Sequence, residues 1–277
     1  MKRLLQIELI KLWNNRASKV LIFGYFILLT SIALIAAIKF DIGPIKFHLA
    51  EQGIFNFPYI WHFNTFIAAL LKIFLAIIIV SMMANEYTYK TIKQNLIDGL
   101  SKKEFIASKF LTVVLFSAVS TLFVFVISLI LGAAYSDYTE WGIVLSDLRF
   151  LVAYFVKLIG FFSFCLFVGI LVKRSAFALG FLIIWQMFEG FTRGMIRWKF
   201  FDGDTTDAIM GFFPLNAIFN VLKEPFSRLS AVQSVANQIG ENVSLNYQTT
   251  LFEMALVLLW SGIFIWGAYK IVKTRDL

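Results

Sequence analysis

The chain has 277 residues and a formal net charge of +8, and 60% of its residues are apolar while only 15% are charged. Soluble domains carry roughly 25% charged residues, and a domain of this size still exposes much of its surface to water. The composition therefore excludes an ordinary soluble protein, and the single cysteine, Cys165, excludes an internal disulfide framework. We expect an all-α polytopic membrane protein that forms one transmembrane domain over residues 1–277.

Six apolar stretches are candidates for membrane-spanning helices, each of which needs about 20 residues to cross ~30 Å of hydrocarbon. The predicted spans are residues 20–38, 63–84, 110–134, 150–172, 176–190 and 250–269. The fifth looks interrupted, because Glu189 and Gly190 end its apolar stretch before it is long enough to span. Between and before the spans we expect an N-terminal interfacial helix over 1–19, an inner coupling loop over 85–109 and an outer loop over 190–249.

The positive charge follows the predicted topology. Basic residues concentrate before the first span, in the 85–109 loop, at Lys173 and Arg174, and after the sixth span. The positive-inside rule places these segments in the cytoplasm. We therefore expect a multi-pass protein of the cell membrane, typically a bacterial inner membrane, with both termini cytoplasmic. This topology accounts for the net positive charge of the chain. We therefore expect the basic residues to attract the headgroups of membrane lipids, and we expect no nucleic-acid partner.

The N-terminal segment has an apolar face when it is placed on a helix. Leu5, Leu9, Leu12 and Trp13 fall within about a third of the circumference, and Glu8 lies away from them. This pattern predicts a helix lying along the inner leaflet. The alternative is a simple basic flank that only fixes topology.

The inner loop contains clear helix start and stop signals. We expect a polar helix from Glu86 to Asp98 that continues the second span directly. Gly99 then supplies a stop, because glycine adopts the left-handed conformation cheaply. Ser101 and Glu104 have the spacing of a capping box that opens the next helix. The pattern predicts a compact turn beneath the bilayer, and an ordinary solvated helical hairpin is the alternative.

The outer loop is too long to be a mere connector. Its residues 209–222 are apolar apart from two asparagines and are broken by Pro214. That stretch is too short to span. We expect it to dip into the outer leaflet or to pack on the spans.

Three charged residues, Lys72, Lys157 and Glu253, lie inside predicted spans. A charge near the bilayer centre costs at least ~2.5–3.5 kcal/mol on insertion scales, so it usually faces protein or water. We expect Glu253 to pair with one of the lysines and to line or seal an outer cavity. In the alternative, each lysine extends to the interface independently.

The order of these parts resembles the ABC type-2 exporter permeases. In those proteins an acidic residue closes the second span, a Gly-Thr-Leu-like stretch follows, and a Pro-Ile-Ser-Arg-like turn leads to a Ser-Lys or Gly-Lys pair. The matching residues here are Glu86, Thr91-Ile92-Lys93, Leu96, Ser101-Lys102 and Ser108-Lys109. Two positions depart from the pattern, since Lys90 stands where glycine is usual and Leu100 where proline is usual.

The resemblance implies the membrane half of an ATP-driven exporter that works by alternating access. Two permease chains, identical or related, would pair with two copies of a nucleotide-binding ATPase subunit. The inner loop would act as the coupling helix that contacts the ATPase. The implied contact residues are Glu86, Lys90, Thr91, Lys93, Leu96, Ser101, Lys102 and Glu104.

The chain itself carries no phosphate-binding loop of the G-x-x-x-x-G-K-[ST] type. ATP and Mg would therefore belong to the partner, and we expect no cofactor and no enzymatic activity on this chain. Two histidines, His48 and His62, without clustered carboxylates are a poor metal signal, and we identify no catalytic or metal-binding residue.

Aromatic-rich spans favour an amphipathic or lipid-like substrate. Two other classes stay open: a non-transporting scaffold or signalling component on the same fold, and a secondary transporter, which would show paired interrupted spans and a midplane ion site.

Overall fold

The computed structural model describes residues 2–38, 40–42, 45–47, 52–229, 232–234, 238 and 247–275. Within this part the chain is helical apart from a short antiparallel hairpin, β1 (Phe40–Ile42) and β2 (Ile45–Phe47), in which Phe40 pairs with Phe47. The helices are α1 (Lys2–Asn14), α2 (Arg16–Ala37), α3 (Tyr59–Leu71), α4 (Ile73–Thr88), α5 (Thr91–Ile97), α6 (Lys102–Tyr135), α7 (Trp141–Val144), α8 (Arg149–Val172), α9 (Ser175–Lys199), α10 (Gly203–Met210), α11 (Pro214–Asn220) and α12 (Leu251–Thr274), with a 3-10 turn at Phe226–Arg228.

Five of these helices (α2, α6, α8, α9 and α12) are long and apolar enough to cross a membrane, and α3 with α4 adds a sixth if that bent pair counts as one span. The helices indicate a multi-pass membrane protein. Most of their ends extend beyond the predicted spans. The helix α2 begins at Arg16 and not near residue 20, because the Asn15 side chain accepts a hydrogen bond from the Ser18 N–H (3.2 Å) and caps it.

The interrupted span is the second and not the fifth, so that prediction was wrong. The two halves of the second span, α3 and α4, meet at Lys72 with a bend of 41°. By contrast, α9 runs for 25 residues to Lys199 without a break at Glu189. It can do so because the Glu189 side chain is fully buried against protein. The outer loop consequently begins after Lys199 and not at residue 190.

The central helix of the bundle is α8. Of its most apolar 18-residue segment 78% is buried, against 17–28% for the other four single spans. It packs against α3, α4, α6, α9 and α12. Gly160 permits one of these contacts, since a Cβ atom there would lie 2.4 Å from Val257 Cγ1 on α12 and 3.1 Å from Ile218 Cγ1 on α11.

A cluster of three hydroxyl groups joins α2, α6 and α8. Tyr154 lies 2.8 Å from both Tyr25 and Ser120, and all three side chains are fully buried. Each hydroxyl can donate one hydrogen bond and accept others, so the three groups satisfy one another without water. This cluster could not be predicted from sequence patterns, because its members lie on three distant segments.

Candidate functional site

Four charged side chains meet where α1, α4 and α6 come together, and we call Glu8, Lys11, Glu86 and Lys109 the inner charge cluster. The Lys109 ammonium is fully buried and donates to Glu8 Oε2 (2.6 Å) and to Glu86 Oε1 (2.5 Å). Lys11 donates to the same Glu86 oxygen at 2.9 Å and lies 3.6 Å from Glu8 Oε1. Two carboxylates and two ammonium groups therefore neutralise one another within a single cluster.

This cluster fixes α1 to the C-terminal end of α4 and to the N-terminal part of α6. Buried charges are tolerated when they are paired and hydrogen-bonded, and these bonds are short and charge-assisted. Burial favours the neutral form of Lys11, but its hydrogen bond to Glu86 and the nearby charge of Glu8 outweigh that effect and raise its pKa above the ordinary value.

The arrangement gives the polar side of α1 a partner. Glu8, placed by the sequence pattern away from the apolar arc, is buried and faces Lys109. Of the predicted apolar arc Leu12 is buried, whereas Leu9 and Trp13 are exposed on the surface of the protein. The buried ammonium of Lys109 requires carboxylates, and Glu8 is one of the two that meet this requirement.

The chain reverses direction after α4 at Lys90. The predicted continuous helix from Glu86 to Asp98 was wrong, because Lys90 adopts a left-handed conformation (φ 55°) and separates α4 from α5. The Thr91 hydroxyl donates to the Glu86 carboxylate, so the first residue of α5 is bonded to the inner charge cluster.

The end of α5 matches the predicted stop. Gly99 has φ 96°, its N–H donates to the Leu96 carbonyl (3.2 Å), and the N–H of Leu100 donates to the Asn95 carbonyl (3.0 Å). This pair of bonds is a Schellman motif. The predicted capping box is also confirmed: Ser101 accepts from the Glu104 N–H (3.2 Å), and Glu104 accepts from the Ser101 N–H (3.0 Å).

We call residues 89–104 the inner turn. Seven of the eight residues implied as ATPase contacts lie in it, Glu86 lies just before it, and the eight differ in exposure. The exposed ones are Lys90, Lys93, Ser101 and Glu104, the half-buried ones are Thr91, Leu96 and Lys102, and Glu86 is buried. Leu96 packs against the hydrophobic core and Glu86 lies in the inner charge cluster. These two residues therefore hold the turn in shape and do not present a surface to a partner.

The structure identifies two further residues on the surface of the inner turn. Tyr89 and Ile97 are each 72% exposed. The sequence pattern did not point to them, because exposure here depends on the left-handed break at Lys90 and on the rotation of α5. The available signal was an apolar residue directly before a charged one, since Tyr89 precedes Lys90 and Ile97 precedes Asp98.

The base of the inner turn is tied to the ends of two other helices. Lys102 donates to the carbonyls of Lys273 (3.1 Å) and Arg275 (3.4 Å) at the end of α12. Arg275 in turn donates to the carbonyls of Ile170 (2.6 Å) and Leu171 (3.0 Å) at the end of α8. Cations at the carboxyl ends of helices satisfy carbonyls that lack a helical partner. These bonds join the base of the inner turn to the ends of α8 and α12.

A second cluster of buried charges surrounds the short helix α11, which packs against α8, α9 and α12. At its amino end the Glu189 carboxylate accepts hydrogen bonds from the backbone N–H groups of Leu215 (3.0 Å) and Asn216 (2.9 Å) and from the Asn216 side chain (2.7 Å). The Trp185 indole N–H donates to it at 2.8 Å. An anion at a helix amino terminus is electrostatically favourable.

At the carboxyl end of α11 the Lys157 ammonium donates to the carbonyls of Phe219 (2.9 Å) and Leu222 (3.3 Å). Lys72, also buried, donates to the Ala69 carbonyl (2.9 Å) and lies 4.7 Å from the centre of the Phe219 ring. An acid on α9 and a base on α8 thus hold the two ends of α11, and we call Glu189, α11 and Lys157 the outer clamp.

The predicted pairing of Glu253 with a membrane lysine was wrong. Glu253 forms a capping box with Thr250 at the start of α12, accepting from the Thr250 N–H at 2.9 Å. Both lysines instead bind backbone carbonyls, because the helix break at residue 72 and the end of α11 supply acceptors inside the bundle. The buried acidic residue near these lysines is Glu189, which binds the amino end of α11. The only sequence signal for it was its position in an apolar helix.

Of the two histidines, the structure describes His62. His48 lies outside the described residues, and His62 stacks on Phe150 with ring centres 4.2 Å apart while its Nε2 lies 2.9 Å from the Lys223 carbonyl oxygen. Over the part of the chain that the structure describes, no group of three or more His, Cys, Asp or Glu residues could hold a metal ion.

Comparison with known sequences gives a family but no activity. No curated protein matches this chain. The family described as "Protein of unknown function (DUF2705)" matches residues 27–270, which is most of the sequence, and the chain belongs to that family.

Proposed function

We propose that this chain is the membrane subunit of an ATP-driven exporter of the ABC type-2 permease class, powered by a separate nucleotide-binding subunit. The observation that carries the proposal is the surface of the inner turn, where Tyr89 and Ile97 are exposed. The turn is held in place from inside the bundle, because the Thr91 hydroxyl donates to Glu86, which also binds the buried Lys109. Exposed apolar surface costs about 25 cal/mol per Å². A rigid loop that keeps such surface outside the bundle is suited to a protein partner.

The proposed topology has six spans, counting α3 and α4 as one, with both termini in the cytoplasm of a bacterial inner membrane. The even number of crossings agrees with the basic residues near both ends of the chain. In this orientation the inner turn faces the cytoplasm, where an ATPase is found, and the outer clamp faces the opposite side. Two copies of the ATPase would bind two permease chains, identical or related.

The proposed coupling follows from the contacts at the turn. Movement of the ATPase would displace α5, and the Glu86–Lys109 and Lys102–Lys273 contacts would carry that displacement to α1, α6 and α12. The ATP and its Mg would remain on the partner. The residues that meet the ATPase are Tyr89, Lys90, Lys93 and Ile97, and the buried members of the turn keep the geometry.

An amphipathic or lipid-like cargo is supported by a groove of about 530 Å³ between α8, α9 and α12. Its lining is almost entirely apolar and includes Trp185, Phe188 and Trp260. The indole N–H groups of Trp185 and Trp260 are already bonded, to Glu189 and to the Phe212 carbonyl. A third tryptophan, Trp266, also lines the groove, and the mostly apolar lining suits an alkyl or polycyclic group.

The experiment is affinity purification of the tagged chain in mild detergent, with ATPase activity and co-eluting subunits as readouts. We expect an ATPase to co-elute with the wild type and to be lost with Ile97→Asp, because a charge would replace a buried interface side chain. Leu145→Asp is the matched control, since Leu145 is also more than half exposed but lies in the loop before α8.

Two outcomes would contradict the proposal. If no ATPase co-elutes with any variant under conditions that keep known complexes intact, the scaffold or secondary-transporter function becomes the better one. If Ile97→Asp retains the ATPase as well as Leu145→Asp does, the inner turn is not the coupling contact.

A secondary transporter is the second candidate because the second span is broken at a buried lysine. Such transporters have interrupted helices and ionisable residues near the midplane. The structure has one bent pair among its described helices, at Lys72, whereas that class typically has two in corresponding halves. Uptake driven by an ion gradient without ATP, and abolished by Lys72→Met, would favour this function.

A further inference from the structure

A groove of about 670 Å³ lies between α6 and α12 and reaches the last residues of the inner turn at Lys103. This volume is within the roughly 300–1,000 Å³ typical of small-molecule sites. Its walls include Ile106 and Phe110 of α6 and Leu258, Ile265 and Trp266 of α12. The lining is dominated by aliphatic and aromatic side chains, and a lysine, Lys103, stands at one end.

The length of the groove matches one leaflet of a membrane. From Leu258 to Tyr269 it follows eleven residues of helix, which is ~16 Å at 1.5 Å per residue. Half of the hydrocarbon core is ~15 Å. Tyr269 and Trp266 lie towards the lysine end, as aromatic residues do at a membrane interface. The groove thus runs from the interface to the middle of the bilayer.

The floor of the groove is open and apolar. At Gly262 a Cβ atom would meet no other atom within 4 Å. The neighbouring Ser261 hydroxyl donates to the Val257 carbonyl at 2.8 Å, so it is already satisfied by its own helix. Only an apolar chain fits this interior without leaving a polar group unpaired.

Two ammonium groups stand near the interface end. Lys103 is exposed and forms no hydrogen bond or ion pair with the described residues, unlike its neighbour Lys102, which is bonded to the end of α12. Lys270 lies over the Trp266 ring, 5.2 Å from its centre. Basic residues at this depth attract the headgroups of anionic lipids.

We propose that this groove binds one anionic phospholipid of the inner leaflet, with an acyl chain between α6 and α12 and the phosphate at Lys103 and Lys270. The proposal rests on the orientation given under the proposed function but not on ATPase coupling. The lipid fills the gap between the two helices whose cytoplasmic ends are joined by Lys102.

The test is native mass spectrometry of the detergent-purified chain after incubation with dioleoylphosphatidylglycerol or dioleoylphosphatidylcholine. We expect the wild type to retain one phosphatidylglycerol. Gly262→Leu fills the groove and abolishes retention, while the helix itself tolerates leucine better than glycine. Lys103→Gln reduces the preference for phosphatidylglycerol by about fivefold, the effect of one basic residue near a membrane surface. Lys93→Gln, which removes an exposed lysine of the inner turn, leaves retention unchanged.

Three results would overturn the proposal. The first is equal retention by the wild type and by Gly262→Leu. The second is a Lys103→Gln variant that keeps the full preference for phosphatidylglycerol. The third is a wild-type dimer that Gly262→Leu converts to a monomer, which would assign the groove to a second copy of the chain. Because lipid retention is measured on the chain alone, its failure is distinguishable from the absence of an ATPase partner.

Discussion

The inner charge cluster and the outer clamp bury charges in two different ways. In the inner charge cluster opposite side chains neutralise one another directly, with Lys109 between two carboxylates. In the outer clamp each charge is satisfied by the end of α11, Glu189 by amide N–H groups and Lys157 by carbonyls. The first arrangement joins three long helices rigidly, whereas the second holds a short helix by groups that a small tilt could release.

The difference predicts the relative cost of removing a charge from each region. Removing one partner of a buried ion pair leaves the other uncompensated, and such changes cost about 3–5 kcal/mol. Removing a charge that binds backbone groups leaves neutral dipoles unsatisfied, at about 1–3 kcal/mol. A change on the exposed surface of the inner turn should cost less than either.

The largest effect is expected for Lys109→Met. The substitution leaves Glu8 and Glu86 facing each other without the buried ammonium, and only the partly exposed Lys11 remains to neutralise them. We expect a loss of about 3–5 kcal/mol, measured as a lower thermal unfolding midpoint in detergent and a lower yield of monodisperse protein.

Lys93→Met is the control for this change. It removes an exposed lysine from α5 and should stay within about 0.5 kcal/mol of the wild type. Equal stability of the two variants would show that Lys109 carries no buried ion pair.

An intermediate effect is expected for Glu189→Gln. The amide keeps the shape of the carboxylate but loses its charge and one acceptor oxygen, while four donors converge on the site. We expect a cost of about 2 kcal/mol, expressed as local release of α11. Cys165 is a native reporter, because it is the single cysteine and is fully buried in α8. It lies on the same helical face as Lys157 and Phe161.

Labelling of Cys165 by a small membrane-permeant thiol reagent should therefore rise by about tenfold or more in Glu189→Gln. The matched control is Glu253→Gln, which alters an acidic residue in the capping box of α12 and should leave Cys165 protected. Increased labelling with an unchanged unfolding midpoint indicates release of α11 alone. Protection of Cys165 in both variants would mean that Glu189 does not hold the helix.

Local sequence signals predicted the inner turn well. The Gly99 stop and the Ser101–Glu104 box depend on residues within three or four positions of one another, so their geometry follows from short-range chemistry. The approximate positions of the apolar helices likewise follow from local composition. The ends of the helices were less accurate, because caps such as Asn15 extend a helix into polar sequence.

Contacts between distant segments could not be predicted in the same way. The partners of Lys109 lie 101 and 23 residues away, and those of Glu189 are 26 and 27 residues away. A single sequence shows which residues are charged but not which helices meet. For this reason Glu253 was paired with the lysines, although its own cap was readable from Thr250 three residues earlier.

The smallest effect is expected at Lys90, the left-handed residue between α4 and α5. A residue with a Cβ atom is destabilised by about 1–2 kcal/mol in this conformation. Glycine adopts the conformation without that cost, but it loses more backbone entropy on folding because the unfolded chain is more flexible at glycine. The two effects oppose each other, so Lys90→Gly should stabilise the protein by at most about 1 kcal/mol.

Lys93→Gly is the matched comparison, because it also exchanges an exposed lysine of the inner turn for glycine but lies inside α5. There glycine should destabilise by about 1 kcal/mol. Both variants lose the same charge, so the difference between their unfolding midpoints in one detergent isolates the backbone conformation. If the two variants are destabilised equally, Lys90 is not left-handed and α4 continues into α5 as one helix. That result would also remove the geometry that exposes Tyr89 and Ile97, and with it the surface proposed to meet the ATPase.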